Sequence, residues 1–232
     1  MNTHVFDQAI ALTPTGPHHY SGATSPAYGN MVGPFGGVTA AVVMQSVMQH
    51  VQRLGEPISL TVNYAAALAD GPFSLTARPV RTKRSTQHWG MYITQPDANG
   101  EPTTVITATA VTAARRETWG VDDEPMPAVP APADVPRARL EARVEWVSRY
   151  AMHPITGALP TVWDGQGDGS LMQMWVRDDP LRALDTKERN QFLQLANAAR
   201  QQLATEALGL IPYRANSRQQ QQLQQSQQQR DA

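Results

Sequence analysis

The stretch 32-VGPFGGVTAAVVMQSVMQH-50 sets glycines around a proline and a phenylalanine directly against a long apolar run. Ala40, Met44, Val47, Met48 and Val51 recur at the spacing of one helical face, which predicts a helix from about 38 to 53. Val42 and Val43 add apolar surface on its other sides, so the helix is expected to be wrapped by protein on most of its circumference. Glycine placed against so buried a segment either lets something approach the helix start or lets the helix enter a tight cleft.

Past Gly55 the pattern becomes extended. The segments 57–68, 73–84, 85–95 and 103–114 are rich in β-branched and aromatic residues, with turn signals at Asp70-Gly71-Pro72 and Asn99-Gly100. In the last of them Thr104, Ile106, Ala108 and Ala110 take one face and Val105, Thr107, Thr109 and Val111 the other. An antiparallel meander following one central helix is the expected arrangement. Upstream, 4–12 and 18–24 read as two short strands around a turn at Pro14, Gly16 and Pro17.

The second half is less regular. The proline-dense 120–136 stretch forms neither a helix nor a central strand and reads as a linker. A pair of strands is expected within 140–178 around a loop holding Trp163-Asp164-Gly165, then a helix over 184–210, then glutamine-rich sequence. The expected division is 1–118, a linker at 119–137, a partial second unit at 138–211 and a tail at 212–232.

Bulk properties exclude several function classes. Across 232 residues, 19 Lys+Arg face 20 Asp+Glu for a net charge of −1, which lacks the positive field of a nucleic-acid binder. The absence of cysteine removes disulfides, thiolate nucleophiles and cysteine zinc sites. No segment approaches the roughly 20 apolar residues of a membrane span. Met1–Leu12 lacks the pattern of a secretory signal, so a cytoplasmic location without membrane insertion is expected.

A glycine-bordered apolar helix followed by an antiparallel meander is the order of a hotdog fold, an α+β architecture in which a curved sheet wraps a central helix. GPFGGVTAAVVMQSVMQH resembles the helix entrance of the acyl-CoA thioesterase II-like (TesB-type) double-hotdog proteins, RSTQHWGMYITQ is similar to a strand of their N-terminal half, and 172-MQMWVRDDPLRALD-185 is similar to the lead into their second helix. The resemblance implies hydrolysis of acyl-CoA to free acid and CoA without metal or redox cofactor. In that family the second helix carries an aspartate, and later strands a threonine or serine and a glutamine, that position the hydrolytic water. Here Gln194 stands near the aspartate's place and no strand pattern follows Leu210, so the second hotdog is expected to be incomplete. A noncatalytic acyl-CoA or acyl-chain binding protein is the alternative. A hydratase of the same fold needs an Asp and His together at the helix entrance, a spacing not present here.

Thioester hydrolysis needs a polarised carbonyl and an oriented water. The resemblance places the carbonyl at backbone N–H groups opening the helix, which makes Gly37 a catalytic donor and Gly36 and Phe35 substrate contacts. Gln87 is the second catalytic candidate. Alternation puts Gln87 and Trp89 on one face and Thr86 and His88 on the other, with one pair lining the acyl or pantetheine channel or else Trp89 packing beneath the helix.

Arg84, in a basic cluster with Arg78, Arg81 and Lys83, is a candidate for the CoA phosphates or a solvated strand charge. Ser46 and His50, one turn apart, read as surface residues rather than a nucleophile pair. His18 and His19 point to opposite faces and Asp164 and Asp168 lack calcium-loop spacing, so no metal is expected. Self-association is expected through 85–95 or 103–114, or else instability, because a lone hotdog leaves a sheet edge and a helix flank uncovered.

Overall fold

The apolar run forms α2, Gly36–Met48, in a computed structural model that describes residues 3–117, 119, 127–139, 144–157 and 171–183. Its valines have poor helix propensity, and burial overrides that cost: Val43 and Val47 are fully buried, each stabilising by about 1.5–3 kcal/mol. The buried face is Val38, Thr39, Val42, Val43, Ser46 and Val47, one step round from the expected stripe. Val51, expected on that stripe, is 93% exposed.

The helix ends earlier than periodicity predicts because its last turn tightens. The His50 N–H donates to Val47 O at 3.1 Å, and the Gln52 N–H donates to His50 Nδ1 at 3.1 Å, a local bond that competes with further helix.

Six antiparallel strands supply the partner surface: β1 Thr13–Gly16, β2 His19–Ala23, β3 Glu56–Tyr64, β4 Pro72–Thr82, β5 Thr86–Pro96 and β6 Pro102–Ala113. Their order across the sheet is β1-β2-β4-β5-β6-β3. The expected meander holds for β4, β5 and β6. β3 crosses over to pair with β6, while β4 takes β2 as its other neighbour. Both strands expected to mediate self-association therefore lie inside the sheet with two partners each, and the outer strands are β1 and β3.

The 4–12 segment is not a strand. Val5–Ala9 forms a short helix, α1, started by His4, whose Nδ1 accepts the Phe6 N–H at 3.1 Å, and β1 begins within the expected turn.

Alternation on β5 sends Gln87, Trp89, Met91, Ile93 and Gln95 inward. The neighbours of the largest two are small: Met91 lies between Ala77 and Ala108, and Trp89 pairs with Ala110. This alternation of large and small gives Val42, Val43 and Val47 of α2 room against the sheet, and they join one core with Leu75, Ile93 and Ile106, while Val38 packs with Ala9 and Tyr28. The chain thus has the hotdog layout, a helix held against an antiparallel sheet.

Beyond the linker a separate two-stranded sheet pairs β7, Tyr150–Thr156, with β8, Gln173–Asp178. The described residues of 3–115 and 128–182 belong to one compact unit. Part of the expected linker packs on this sheet: Trp175 Nε1 donates to Pro130 O at 3.0 Å, and Val135 is buried with its carbonyl 2.7 Å from His153 Nδ1. The expected Trp163-Asp164-Gly165 loop, Asp168, the 184–210 helix with Gln194, and the glutamine-rich tail lie outside the described residues, as does the question of a complete second hotdog.

Candidate active site

The start of α2 is built by its approach loop. Gly33 takes φ +65, and a β-carbon there would collide with the Leu68 carbonyl oxygen, so a side chain is excluded by both conformation and space. The Asn30 N–H donates to Gly33 O at 2.8 Å and the Phe35 N–H to Tyr28 O at 2.7 Å, which fixes the direction of entry. Phe35 caps the helix in extended conformation, and its carbonyl accepts from the Val38 and Thr39 N–H groups at 3.1 and 3.3 Å. The Gly36 and Gly37 N–H groups find no acceptor among the described residues. These two donors, at the positive end of a helix with Gly37 exposed, are suited to receive developing negative charge.

Aromatic rings border them. A β-carbon on Gly37 would collide with the Phe35 ring, and one on Gly36 would meet Tyr64 Oη at 3.1 Å. Both glycines therefore admit protein rings close to the backbone. Phe35 in turn stacks on Trp146 at 4.3 Å between centroids and 11° between planes. Behind them Tyr28, 1% exposed, has its hydroxyl pushed up to about 12, mainly by burial and then by Tyr150 and Asp178.

The other expected residues stand elsewhere. Gln87 lies past the far end of α2, about 18 Å along the axis from its start. Its amide is fully engaged: Oε1 accepts the Leu54 N–H at 2.8 Å, and Nε2 donates to Gln52 O at 3.1 Å and Thr82 Oγ1 at 2.8 Å. Trp89, 1% exposed, packs beneath the helix end, donating from Nε1 to Thr112 Oγ1 at 3.1 Å and meeting His50 edge-on. Thr86 is half-buried, while His88 and Arg84 are exposed, with Arg78, Arg81 and Lys83 also exposed nearby in sequence. The structure brings Phe35, Gly36 and Gly37 together, and separates them from Gln87 and Trp89.

Ser46 and His50 are buried, against the expectation of surface residues. They are not paired: Ser46 Oγ donates to Val43 O at 2.6 Å, and His50 Nε2 lies 2.9 Å from His18 Nδ1. Because His50 Nδ1 already accepts the Gln52 N–H, its Nε2 carries the proton and donates to His18. Burial first, and His18 second, hold His50 below its ordinary value, while the Pro17 backbone opposes them. His19 bonds Thr76 instead, with Nδ1 3.2 Å from Oγ1. Among the described residues no group of three or more His, Asp or Glu converges as a metal site, and no helix is long and apolar enough to cross a membrane.

Sequence reasoning missed Tyr64 and Trp146. Tyr64 ends a strand without any motif, and nothing marks Trp146 as a partner of Phe35 before the chain folds.

A helix held against a six-stranded antiparallel sheet, opening with two amide donors that are unpartnered among the described residues, has the hotdog architecture, and comparison with known proteins narrows that class. Residues 25–113 match the family model of the acyl-CoA thioesterase N-terminal domain. A conserved hotdog-fold protein of unknown function from Alicyclobacillus acidocaldarius is similar at 44% identity and TM-score 0.69, over 81% of this chain and 67% of its own. The acyl-CoA thioesterase II TesB2 of Mycobacterium marinum shares the fold at 18% identity and TM-score 0.56, over 75% of this chain and 60% of its own. The tesB protein of Mycobacterium avium subspecies paratuberculosis does so at 17% identity and TM-score 0.57, over 79% of this chain and 63% of its own. The chain belongs with the hotdog-fold proteins, and within it residues 25–113 carry the match to an acyl-CoA thioesterase N-terminal domain. It spans less than two thirds of the length of the two mycobacterial proteins. None of the curated proteins matches it.

Proposed function

We propose that this chain binds acyl-CoA and directs the thioester carbonyl to the Gly37 N–H for hydrolysis to free acid and CoA. The observation that carries this reading is the pair of unpartnered amide donors at Gly36 and Gly37, on a helix start that lies within the matched thioesterase domain. As water adds to the carbonyl carbon, the oxygen gains negative charge, and a fixed donor stabilises that charge more than the ground-state carbonyl. Breakdown of the adduct breaks the carbon–sulfur bond, and the proton given up by the attacking water passes through solvent to the departing sulfur, leaving the free acid and CoA. Gly37 is the donor, with Phe35 and Gly36 bordering the acyl carbonyl. Gln87 and Trp89 act at a distance, by holding the segment after α2 and the helix end. Arg84, Thr86 and His88 meet only parts of the ligand that reach past the far end of the helix.

The alternative, an acyl-CoA binding protein without turnover, is favoured by the groups nearest the two glycines, which are the rings of Tyr64 and Phe35. Turnover of acyl-CoA thioesters of graded chain length, measured beside calorimetric binding of the same ligands, separates the readings. Hydrolysis supports the first, binding alone supports the second, and neither sinks both. Self-association, if present, uses the β3 edge, whose outer side pairs with no other strand of the sheet.

A further inference from the structure

We infer that Tyr64 is a positioning residue that sets the aim and donor strength of the Gly37 N–H, an inference that rests on the thioesterase reading for its catalytic consequence. Tyr64 Oη donates to the Gly36 carbonyl oxygen at 2.6 Å. That carbonyl and the Gly37 N–H belong to one planar trans peptide, so they point in opposite directions from a single rigid unit. A hydrogen bond received at the oxygen restrains the tilt of the whole unit. It also draws electron density toward oxygen, which makes the amide hydrogen at the other end a stronger donor.

The tyrosine is well placed to do this. It closes β3, where Tyr64 pairs with Ile106, and the next two N–H groups, of Ala65 and Ala66, both donate to Val105 O at 3.0 Å. The strand end is thereby anchored to β6, and the hydroxyl reaches the helix from a fixed base. Tyr64 is 53% exposed, yet the partial desolvation of its hydroxyl raises its ionisation above the ordinary value, and it donates across the neutral range. Gly36 is part of the same arrangement, since a β-carbon there would meet Oη at 3.1 Å and the ring carbon bearing it at 3.3 Å. Glycine at 36 is thus explained by the approach of Tyr64, separately from any approach by substrate.

Because the Gly37 N–H contributes most when the thioester oxygen carries charge, losing its polarisation affects kcat rather than ground-state binding. Tyr64→Phe in the full chain is expected to lower kcat by about tenfold, an order of magnitude less than losing an oxyanion donor outright. KM for acyl-CoA stays within about twofold, because uniform binding is untouched. Independently of turnover, the Gly37 amide proton in a 15N-labelled sample moves upfield, since it loses a polarising bond. Gly36→Ala, which crowds Oη, reproduces both effects in weaker form. An unchanged Gly37 resonance in Tyr64→Phe overturns the inference, as does a fall in kcat accompanied by an equal rise in KM or by a large drop in melting temperature. If the unmodified chain binds acyl-CoA without turnover, the thioesterase reading fails, while the Gly37 resonance still decides the role of Tyr64.

Discussion

Replacing Gln87 with methionine separates a catalytic glutamine from a structural one. Methionine keeps the length and volume of the side chain, which is 2% exposed, but removes all three of its hydrogen bonds. The partners left behind are the Leu54 N–H, the Gln52 carbonyl and the Thr82 hydroxyl. Gln52 and Thr82 are exposed and recover water, and Leu54 is half-buried, so each loss sits at the low end of the usual range. At about 1 kcal/mol per bond the total is roughly 3 kcal/mol, a large share of a stability of about 5–15 kcal/mol. For a chain of this size that lowers the melting temperature by about 6–12 °C. Urea unfolding followed by tryptophan fluorescence should show a lower midpoint at unchanged slope, because the surface exposed on unfolding is the same. Acyl-CoA turnover, measured well below the melting temperature, should stay within about twofold of the unmodified chain. A variant that melts normally but has lost turnover would refute this reasoning and make Gln87 a catalytic group.

Other perturbations test other parts of the structure. Gly37→Pro, made in a Phe35→Ala background because a β-carbon at 37 would otherwise collide with the Phe35 ring, removes the proposed donor, and kcat should fall by roughly 10²–10³ relative to Phe35→Ala alone while acyl-CoA binding persists in calorimetry. His50 is held below its ordinary value of 6.5, so the unfolded chain takes up its proton first as pH falls. The stability it contributes is complete above that unfolded value and is lost as pH drops through the lower folded one; chemical denaturation at stepped pH should show this slope, and His50→Asn should flatten it. Ile58, 66% exposed on the outer strand β3, tests the sheet edge: the self-association proposed for β3 should register in light scattering of the unmodified chain, and Ile58→Lys should abolish it and leave the melting temperature within a few degrees.

Much of the sheet was legible because alternation is a short-range signal. Gln87, Trp89, Met91 and Ile93 face inward on β5, and Ile106, Ala108 and Ala110 on β6, on the faces that period two assigns. Val105 and Thr104 are the exceptions: Val105 is buried and Thr104 exposed, the reverse of the pattern, because the register slips where Ile93 pairs with Ile106 and Thr94 with Thr104. The helix was legible as a helix but not in its facing. Its apolar residues cover so much of the circumference that several stripes fit equally well, and the cup of β4, β5 and β6 selects the one through Val43 and Val47.

The candidate site divides along the same line. That glycines open an apolar helix, and that a proline and phenylalanine precede them, follows from the order of residues alone, since capping and backbone permissiveness depend on immediate neighbours. The crossing of β3 to β6, the bond of Tyr64 to a peptide 28 residues earlier, the stacking of Trp146 on Phe35 and the joining of His18 to His50 across 32 residues were decided only by the folded chain. Local propensity carries no term for such pairs. They form because closing a long loop costs little more than closing a short one, so shape and packing choose the partner.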